Sequence, residues 1–231
     1  MQTVLITGAG RGIGLELVRR YAAAGDHVLA CCREPEAARA LQALAKANPE
    51  VTVYRVRISD AASVAALARQ IGSAPIDVLI NNAGMAGPPI QKQSLEEMDF
   101  DGWAEAFAVN TMAPLRMLQT FRKNLAAGTN PRAITITSQM GAIAFPMPVM
   151  YAYCSSKGAV NKVMKMAADA LKREGIAVLL VHPGFVKTAM GGPNAEITPE
   201  ESAAGILSVI AGASIASTGK FLKWNGEEHP W

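Results

Sequence analysis

Cysteine and histidine are both scarce in this sequence, with three residues of each among 231. Cys31 and Cys32 are adjacent, and an odd count of cysteines argues against a disulfide framework. We therefore expect a reducing, cytoplasmic location. The three histidines lie far apart, so no Cys/His cluster has the spacing of metal ligands. The sequence predicts no metal site.

An excess of one charge and long hydrophobic runs are also missing. The net charge is +3, and the basic residues are scattered among acidic ones, which argues against a nucleic-acid partner. No apolar run reaches the roughly 18 residues that a membrane span needs. The N-terminus has no charged region followed by a cleavage site, so we expect no signal peptide. Hydrophobic residues make up 50% of the chain, enough for a sizeable core.

Strand-like and helix-like segments alternate along the chain. Most of the strand-like runs are apolar on consecutive residues, as in parallel strands that are covered on both faces. These runs are Thr3-Ile6, His27-Cys31, Val51-Val56, Ile76-Ile80, Ala133-Thr137, Ile176-Val181 and Lys220-Trp224. The helical segments are Ile13-Ala24, Glu36-Ala47, Ala61-Ile71, Met98-Leu125, Met150-Arg173 and Pro199-Ala211.

This alternation predicts the α/β class: a Rossmann-type doubly wound parallel sheet of about seven strands flanked by helices. The chain has no linker, repeat or low-complexity block, so residues 1–231 are expected to form one domain. Right-handed crossovers place the ligand crevice at the carboxyl ends of the strands. Two loops rich in glycine and proline, Gly84-Pro89 and Gly184-Pro199, follow strands and should overhang that crevice.

A glycine-rich turn follows the first strand. Its glycines have the spacing G-x-x-x-G-x-G, which departs from the dinucleotide fingerprint G-x-G-x-x-G. Both spacings suit a pyrophosphate for the same reason, because glycines let it approach the backbone and the helix N-terminus supplies amide donors. The candidate phosphate-binding residues are Gly8, Gly10, Arg11, Gly12, Ile13 and Gly14. The alternative is a glycine-rich connection that binds no ligand.

The end of the second strand bears on the choice of cofactor. An acidic side chain there would bind a ribose 2′-hydroxyl, whereas an arginine would accept a 2′-phosphate. Arg33 stands at this strand end and Arg11 in the glycine turn, which favours NADP(H) over NAD(H). We expect Glu34 to open the next helix beside Pro35 and not to face the ribose. Arg33 could instead be an ordinary surface residue.

Tyr153 and Lys157 stand four residues apart, on one face of a predicted helix. A tyrosine with the ordinary pKa of about 10 exchanges protons poorly near neutrality. We expect the neighbouring ammonium group to lower that pKa and make Tyr153 an effective acid. Tyr151 is the competing candidate, but the residue four positions after it is Ser155. Taken alone, a Tyr-x-x-x-Lys pair is usually a helix surface pair.

These motifs, in this order, resemble the short-chain dehydrogenase/reductase family over essentially the whole chain. Four further motifs of that family occur in sequence: Asn81-Asn82-Ala83-Gly84, Val109-Asn110-Thr111, Ile136-Thr137-Ser138 and His182-Pro183-Gly184-Phe185-Val186-Lys187-Thr188. The segment Trp224–Trp231 resembles the C-factor-type and sniffer-type carbonyl reductases of the family.

The resemblance implies a catalytic set of Ser138, Tyr153, Lys157 and Asn110. Tyr153 would donate a proton to a carbonyl oxygen that the Ser138 hydroxyl polarises. By resemblance, Lys157 would also bind the nicotinamide ribose and Asn110 would hold a water in a proton relay. Tyr153 and Lys157 thus belong to the cofactor site as well. The resemblance adds to that site Ile58, Asn82, Ala83, Gly84, Pro183, Gly184, Val186 and Thr188.

Two departures from the family pattern stand out. Arg57 occupies the place of an acid that commonly binds adenine, so adenine contacts are expected from the backbone and from Ile58, or Arg57 adds positive charge near the phosphate pocket. The loop Gln139-Ala152 is also longer than in the shortest members. It should shape the substrate pocket. The candidate lining residues are Gln139, Met140, Phe145, Met147 and Phe185, each of which could equally belong to the core or an interface.

The sequence therefore predicts an NADP(H)-dependent oxidoreductase that acts on small hydrophobic ketones or aldehydes, with alcohol oxidation as the reverse reaction. The alternative is a nucleotide-binding signalling protein of the same fold with little turnover. A pure binding protein has no need of the acid, so the complete catalytic set favours the enzyme. Family members often pair through two long helices, which implies a homodimer or homotetramer, with a monomer left open.

Overall fold

The strands of the sheet follow the predicted order along the chain. The computed structural model describes all residues, 1–231. The strands are β1 Thr3–Thr7, β2 His27–Cys32, β3 Val51–Arg55, β4 Val78–Asn81, β5 Arg132–Ile136, β6 Ala177–His182 and β7 Phe221–Lys223. The helices are α1 Gly12–Ala23, α2 Arg39–Ala47, α3 Ala61–Ile71, α4 Phe100–Phe107, α5 Ala113–Ala126, α6 Tyr151–Leu171 and α7 Pro199–Gly212.

All seven strands pair in parallel, in the spatial order β3-β2-β1-β4-β5-β6-β7. Successive strand residues enter different hydrophobic clusters: Val4 and Ile6 belong to one, and Leu5 to the other. Helices therefore cover both faces, which explains why the strands are apolar throughout. The predicted Rossmann-type doubly wound fold is confirmed. None of the helices combines the length and the hydropathy that crossing a bilayer requires.

The position of the crevice follows from the strand order. The chain moves outward from β1 to β3 and then returns to place β4 on the other side of β1. Crossovers on the two sides of this switch point diverge, so the loops after β1 and β4 border a cleft at the carboxyl edge of the sheet. The glycine turn follows β1, and Asn82–Gly84 follow β4.

The predicted helix Met98-Leu125 is interrupted in the structure. It begins at Phe100 as α4, passes through a π-helical turn at Ala108–Met112, and continues as α5 to Ala126. Pro114 explains the interruption, because it has no N–H to donate to the carbonyl group of Asn110 four residues earlier. A π-helical turn often marks a functional position, and this one contains Asn110.

Other predicted helices and strands differ from the structure in their first or last residues. The segment predicted as one helix from Glu36 is a 3-10 turn at Pro35–Ala37 followed by α2, and Glu34 occupies the position before that turn, as expected. The predicted helix Met150-Arg173 ends as α at Leu171 and adds a 3-10 turn. The strand expected at Ile76 begins at Val78.

Candidate active site

The glycine turn after β1 packs directly against the loop after β4. A Cβ atom on Gly8 would lie 2.8 Å from Ala83 Cα, and one on Gly14 would lie 2.3 Å from the Gly8 carbonyl oxygen and 2.5 Å from Asn82 Nδ2. No larger residue fits at either position while the backbone keeps this path. The turn also needs positive φ values at Gly8 (68°) and Gly12 (56°).

Side-chain hydrogen bonds tie the same two loops together. The Thr7 hydroxyl accepts from the backbone N–H groups of Asn82 at 3.0 Å and Ala83 at 3.1 Å. The Asn82 amide donates to the carbonyl oxygens of Thr7 at 3.0 Å and Gly8 at 3.2 Å. Loop backbone groups that lie outside the sheet are thereby satisfied, which holds the loops in a defined shape.

The N-terminus of α1 is open to an anion. Helix α1 begins at Gly12, its N-cap residue Arg11 forms no side-chain cap, and no acidic residue stands in its first turn. The first backbone N–H groups of a helix have no partner within it and carry partial positive charge. A Cβ atom on Gly12 would lie 3.3 Å from Thr188 Cγ2, so the loop after β6 also reaches this turn, as predicted.

Three exposed arginines border this end of the sheet: Arg11, Arg33 and Arg57. None of them forms a salt bridge, whereas the neighbouring Arg55 pairs with Glu36. Unpaired guanidinium groups beside an open helix N-terminus suit a phosphate-bearing ligand. These features fit a dinucleotide with an additional phosphate.

Lys157 is buried, with 5% of its surface exposed. Its Nζ donates to the carbonyl oxygen of Ile136 at 2.9 Å and lies 5.9 Å from the centre of the Tyr153 ring. Burial penalises the charged form and lowers the pKa of Lys157 to about 8. The helix thus brings the predicted Tyr-x-x-x-Lys pair together at the end of β5.

The phenol of Tyr153 differs from the sequence expectation. Its pKa lies above the ordinary value because burial raises it, while a hydrogen bond with the Ser138 side chain lowers it by less and Cys154 raises it. The prediction that Lys157 lowers this pKa is therefore wrong for this structure. The amine is bonded to Ile136, and desolvation of the phenol outweighs the favourable contacts.

Ser138 serves two purposes at the end of β5. Its Oγ accepts from the backbone N–H of Met140 at 3.2 Å, which caps the short turn Gln139–Gly141. The same side chain lies close enough to the Tyr153 phenol to lower its pKa. The alternative interpretation of Ser138 as a strand-end cap is thus correct in part, and it leaves the contact with the phenol intact.

Asn110 is anchored by three hydrogen bonds. Its Oδ1 accepts from the backbone N–H of Met85 at 2.9 Å, and its Nδ2 donates to the Met85 carbonyl oxygen at 2.8 Å and to Ser156 Oγ at 3.0 Å. A Cβ atom on Gly84 would lie 3.2 Å from Asn110 Oδ1 and 3.5 Å from Lys157 Nζ. The structure therefore brings Gly84, Asn110 and Lys157 to one point of the cleft.

The candidate substrate residues differ from one another in exposure and in packing. Phe185 is 44% exposed on the loop after β6, while Gln139, Met140 and Met147 are half-buried on the loop after β5. Phe145 is half-buried and packs against one of the hydrophobic clusters, and its place in the substrate pocket stays a prediction. The contact arises because Ala142, which precedes it, is already part of that cluster.

Three of the predicted cofactor residues have structural contacts of their own. The Ile58 side chain belongs to the core, and its carbonyl oxygen accepts from Arg116 at 3.1 Å. Val186 is also buried, and its backbone pairs with Ile197 across the loop after β6. The Pro183 carbonyl oxygen accepts from Ser202. Because the side chains of Ile58 and Val186 are buried, any contact of these two residues with a dinucleotide falls mainly to the backbone.

A shallow cavity of about 420 Å³ lies beside α4 and α6 and contains none of the candidate substrate residues. Tyr151 and Ser155 line it from α6. Residues two apart on a helix differ in direction by roughly 200°, so this cavity faces away from Tyr153.

Comparison with known proteins agrees with this geometry. Residues 2–198 match the family model described as short chain dehydrogenase. The chain belongs to the short-chain dehydrogenase/reductase family. It is 36% identical to C-signal of Myxococcus xanthus over 167 aligned residues. The alignment spans 72% of this chain and 99% of C-signal. The resemblance to the family stated from the motifs is confirmed.

Carbonyl reductases are among the similar solved structures. The NADPH-bound carbonyl reductase from chicken fatty liver has a TM-score of 0.89 and 29% identity, covering 100% of this chain and 99% of that one. The carbonyl reductase Sniffer of D. melanogaster has a TM-score of 0.90 and 26% identity, with 100% coverage of both chains. The cofactor of the chicken enzyme supports the prediction of NADP(H).

Several residues that shape the site of this dehydrogenase/reductase carry no clear sequence signal. Thr7 lies inside the recognised motif, yet its bonds to Asn82 and Ala83 require the fold to be known. Ser156 receives the Asn110 amide, and Gln93 contacts the backbone of Tyr153. Gln93 stands in an irregular loop without periodicity, so no sequence pattern points to it.

The contact between the two loops predicts the effect of one added methyl group. We expect Gly14→Ala to lower the free energy of unfolding by about 1–3 kcal/mol, because its Cβ overlaps the Gly8 carbonyl group and the Asn82 amide. Gly212→Ala is the control, since nothing lies within 4 Å of a Cβ there. Urea unfolding of the two variants measures the difference, and equal stabilities would contradict the proposed close packing.

Proposed function

We propose that this oxidoreductase reduces the carbonyl group of small hydrophobic ketones or aldehydes, with NADPH supplying the hydride. Alcohol oxidation is the reverse reaction. The observation that carries the proposal is the meeting of Tyr153, Ser138 and Lys157 in a buried site at the carboxyl edge of the sheet. The structural likeness to carbonyl reductases supports the same substrate class.

Tyr153 acts as the proton donor in this proposal. A phenol with a raised pKa stays protonated near neutral pH, which is the form that an acid needs before it acts. As the carbonyl oxygen gains negative charge, Tyr153 transfers its proton and the Ser138 hydroxyl donates a hydrogen bond to the same oxygen. Both groups are largely buried, so water competes little for that oxygen.

Lys157 and Asn110 support the donor. With a pKa of about 8, Lys157 is mostly cationic at neutral pH, and its bond to the Ile136 carbonyl oxygen holds α6, and with it Tyr153, against the end of β5. Lys157 would also bind the ribose beside the nicotinamide. Asn110 lies at the π-helical turn close to Gly84 and Lys157, which suits the predicted role of holding a relay water.

The residues that would hold the cofactor fall into three groups along the cleft. The glycine turn and the N-terminus of α1 suit the pyrophosphate, and Arg11 and Arg33 suit a 2′-phosphate. The loops after β4 and β6 complete the cleft. Their proposed contact residues are Asn82, Ala83, Gly84, Pro183, Gly184, Val186 and Thr188, with Ile58 near the adenine.

The domain organisation, the oligomeric state and the location of the protein are proposals as well. We propose that residues 1–231 act as one catalytic domain, because a single sheet carries every part of the site. Exposed Phe100, Met112 and Met166 on the two long helical segments support a homodimer or homotetramer. A cytoplasmic location stays a prediction from the sequence.

A nucleotide-binding signalling role is the second candidate, and the 36% identity to C-signal favours it. This role needs an occupied cofactor cleft but no turnover. It offers no reason for a buried tyrosine, serine and lysine to meet beside that cleft. The enzyme therefore accounts for more of the structure.

Removal of one hydroxyl group tests the catalytic proposal. We expect Tyr153→Phe to lower kcat by about 10²–10⁴ while the affinity for NADPH stays similar, because only the proton donor is lost. Tyr151→Phe is the matched control, since Tyr151 lines the cavity on the other side of α6. NADPH oxidation with aromatic aldehydes and diketones measures both variants. Equal rates for Tyr153→Phe and the unmodified protein would remove the catalytic assignment.

A charge reversal tests the cofactor preference. We expect Arg33→Asp to weaken NADPH binding by about 10-fold or more and to leave NADH binding within about twofold, because a charge-assisted bond to the 2′-phosphate is lost. Arg69→Asp makes the same charge change on α3, where the side chain is exposed and unpaired. Fluorescence titration with both nucleotides gives the affinities. An equal loss for NADPH and NADH would refute the phosphate contact.

A further inference from the structure

Helix α6 carries the proposed acid but has no cap of its own. It begins at Tyr151, and the preceding Met150 adopts a left-handed conformation (φ 62°) without a side-chain hydrogen bond to the helix. The first N–H groups of a helix lack partners within it and must be satisfied from elsewhere when buried. Tyr153 is the third residue of this helix, so its N–H is one of these groups.

Gln93 supplies the missing partners from a different part of the chain. Its backbone oxygen accepts from the N–H of Tyr151 at 3.2 Å, and its side-chain Oε1 accepts from the N–H of Tyr153 at 3.2 Å. The Gln93 Nε2 donates to the carbonyl oxygens of Ala86 at 3.1 Å and Pro88 at 2.5 Å. Only 1% of Gln93 is exposed.

The orientation of this amide is determined by its partners. The two partners of Nε2 are carbonyl oxygens and the partner of Oε1 is an N–H group, so a flipped amide would lose all three bonds. Gly87 packs over the same amide: a Cβ there would lie 3.3 Å from Ala152 Cβ and 3.6 Å from Gln93 Oε1. One buried side chain therefore joins the loop after β4 to the first turn of α6.

The backbone of Tyr153 is held from both sides. Gln93 accepts from its N–H, and Ser156 Oγ donates to its carbonyl oxygen at 2.8 Å. Ser156 Oγ in turn accepts from Asn110. The N–H of the proposed acid is thus fixed by the loop after β4, and its carbonyl is linked to the π-helical turn.

We propose that Gln93 is a positioning residue, which caps α6 from another segment and fixes Tyr153 relative to the loop Gly84–Pro88. The proposal rests on the proposed reductase function, because it assigns Gln93 an effect on proton transfer. Gln93 touches no reacting atom and acts through the backbone of Tyr153. Proton donation needs hydrogen-bond distances, so a small displacement of the first turn lowers the rate without preventing folding.

Gln93→Glu separates this role from simple packing. The carboxylate form keeps the acceptor for Tyr153 but places negative oxygens against the carbonyl groups of Ala86 and Pro88. The protonated form restores one of the two donors at nearly the same volume. Because a buried carboxyl group has a raised pKa, this variant should lose its function as the pH rises and recover it as the pH falls.

Lys157 on α6 has a pKa of about 8 and therefore titrates in this range in every variant alike. Tyr151 and Tyr153 contact Gln93 from α6 through their backbone N–H groups, and burial raises the pKa of the Tyr153 phenol. On its own segment, Lys92 and Glu97 pair at the surface at 4.0 Å, and Asp99 caps α4 through the N–H of Gly102. The matched control is Gln91→Glu, which adds the same charge two residues away on an exposed side chain.

The experiment compares kcat from pH 6 to 9 for the unmodified protein, Gln93→Glu and Gln91→Glu. For Gln93→Glu we expect kcat at pH 8.5 to fall about 10-fold or more and to return within about threefold of the unmodified protein at pH 6, with KM for NADPH changed less than about twofold. Gln91→Glu should follow the unmodified protein throughout. A Gln93→Glu profile parallel to the unmodified one would overturn the proposal.

Gln93→Met provides a second variant of similar length that has neither donor nor acceptor. We expect its kcat to be lowered by a similar factor at every pH, with no recovery at pH 6. Full activity in this variant would also refute the role of Gln93. Thermal unfolding at pH 6 verifies that each variant is folded before its rate is measured.

A measurement that needs no enzymatic turnover tests the role of Gln93 independently of the proposed function. Hydrogen exchange of peptides that contain Tyr153, measured at one pH near 8, should be faster in Gln93→Glu than in Gln91→Glu, because the carboxylate is repelled by the carbonyl oxygens of Ala86 and Pro88 and no longer holds its acceptor oxygen in place. If the unmodified protein reduces no carbonyl compound, the reductase proposal fails, and this comparison still decides whether Gln93 holds the turn. Equal exchange in the two variants would contradict the cap.

Discussion

The buried ammonium group of Lys157 is the constraint on which the rest of the site depends. A lysine with 5% exposure can keep its charge only where a well-placed acceptor replaces lost water. The Ile136 carbonyl oxygen at the end of β5 is that acceptor, so α6 must lie against this strand in one register. That register places Tyr153 beside Ser138, which is also at the end of β5.

Side chains that bond to loop backbone hold the remaining parts in place. At the carboxyl edge of a parallel sheet the chain leaves the strand ladder, and its N–H and C=O groups need new partners. Thr7 and Asn82 provide them between the loops after β1 and β4. Asn110 and Gln93 provide them between the loop after β4 and the helices that follow. These bonds hold the loops of the cleft in a defined arrangement where a cofactor would bind.

Much of the fold could be predicted because its signals are local. Consecutive apolar residues in β1 and β4 indicated strands covered on both faces, and the glycines after β1 fit only a tight turn against another loop. The motifs around Tyr153 and Lys157 placed the candidate site at the correct edge of the sheet.

The missed features depend on contacts between distant residues. The direction of the Tyr153 pKa shift depends on how deeply the phenol is buried, which no spacing reveals. Phe145 packs against a hydrophobic cluster that distant segments build, which its place in the loop Gln139–Ala152 does not reveal. The π-helical turn had a readable signal in Pro114, but its exact place came only with the structure.

The most direct test is a crystal structure of the protein with NADP⁺ and the alcohol product of a small ketone. The account predicts that the alcohol oxygen lies about 2.6–3.2 Å from both the Tyr153 hydroxyl and the Ser138 hydroxyl. The carbon that bears this oxygen should face the nicotinamide ring. An alcohol oxygen bound away from both hydroxyls, with Tyr153 still buried as it is here, would contradict the proposed chemistry.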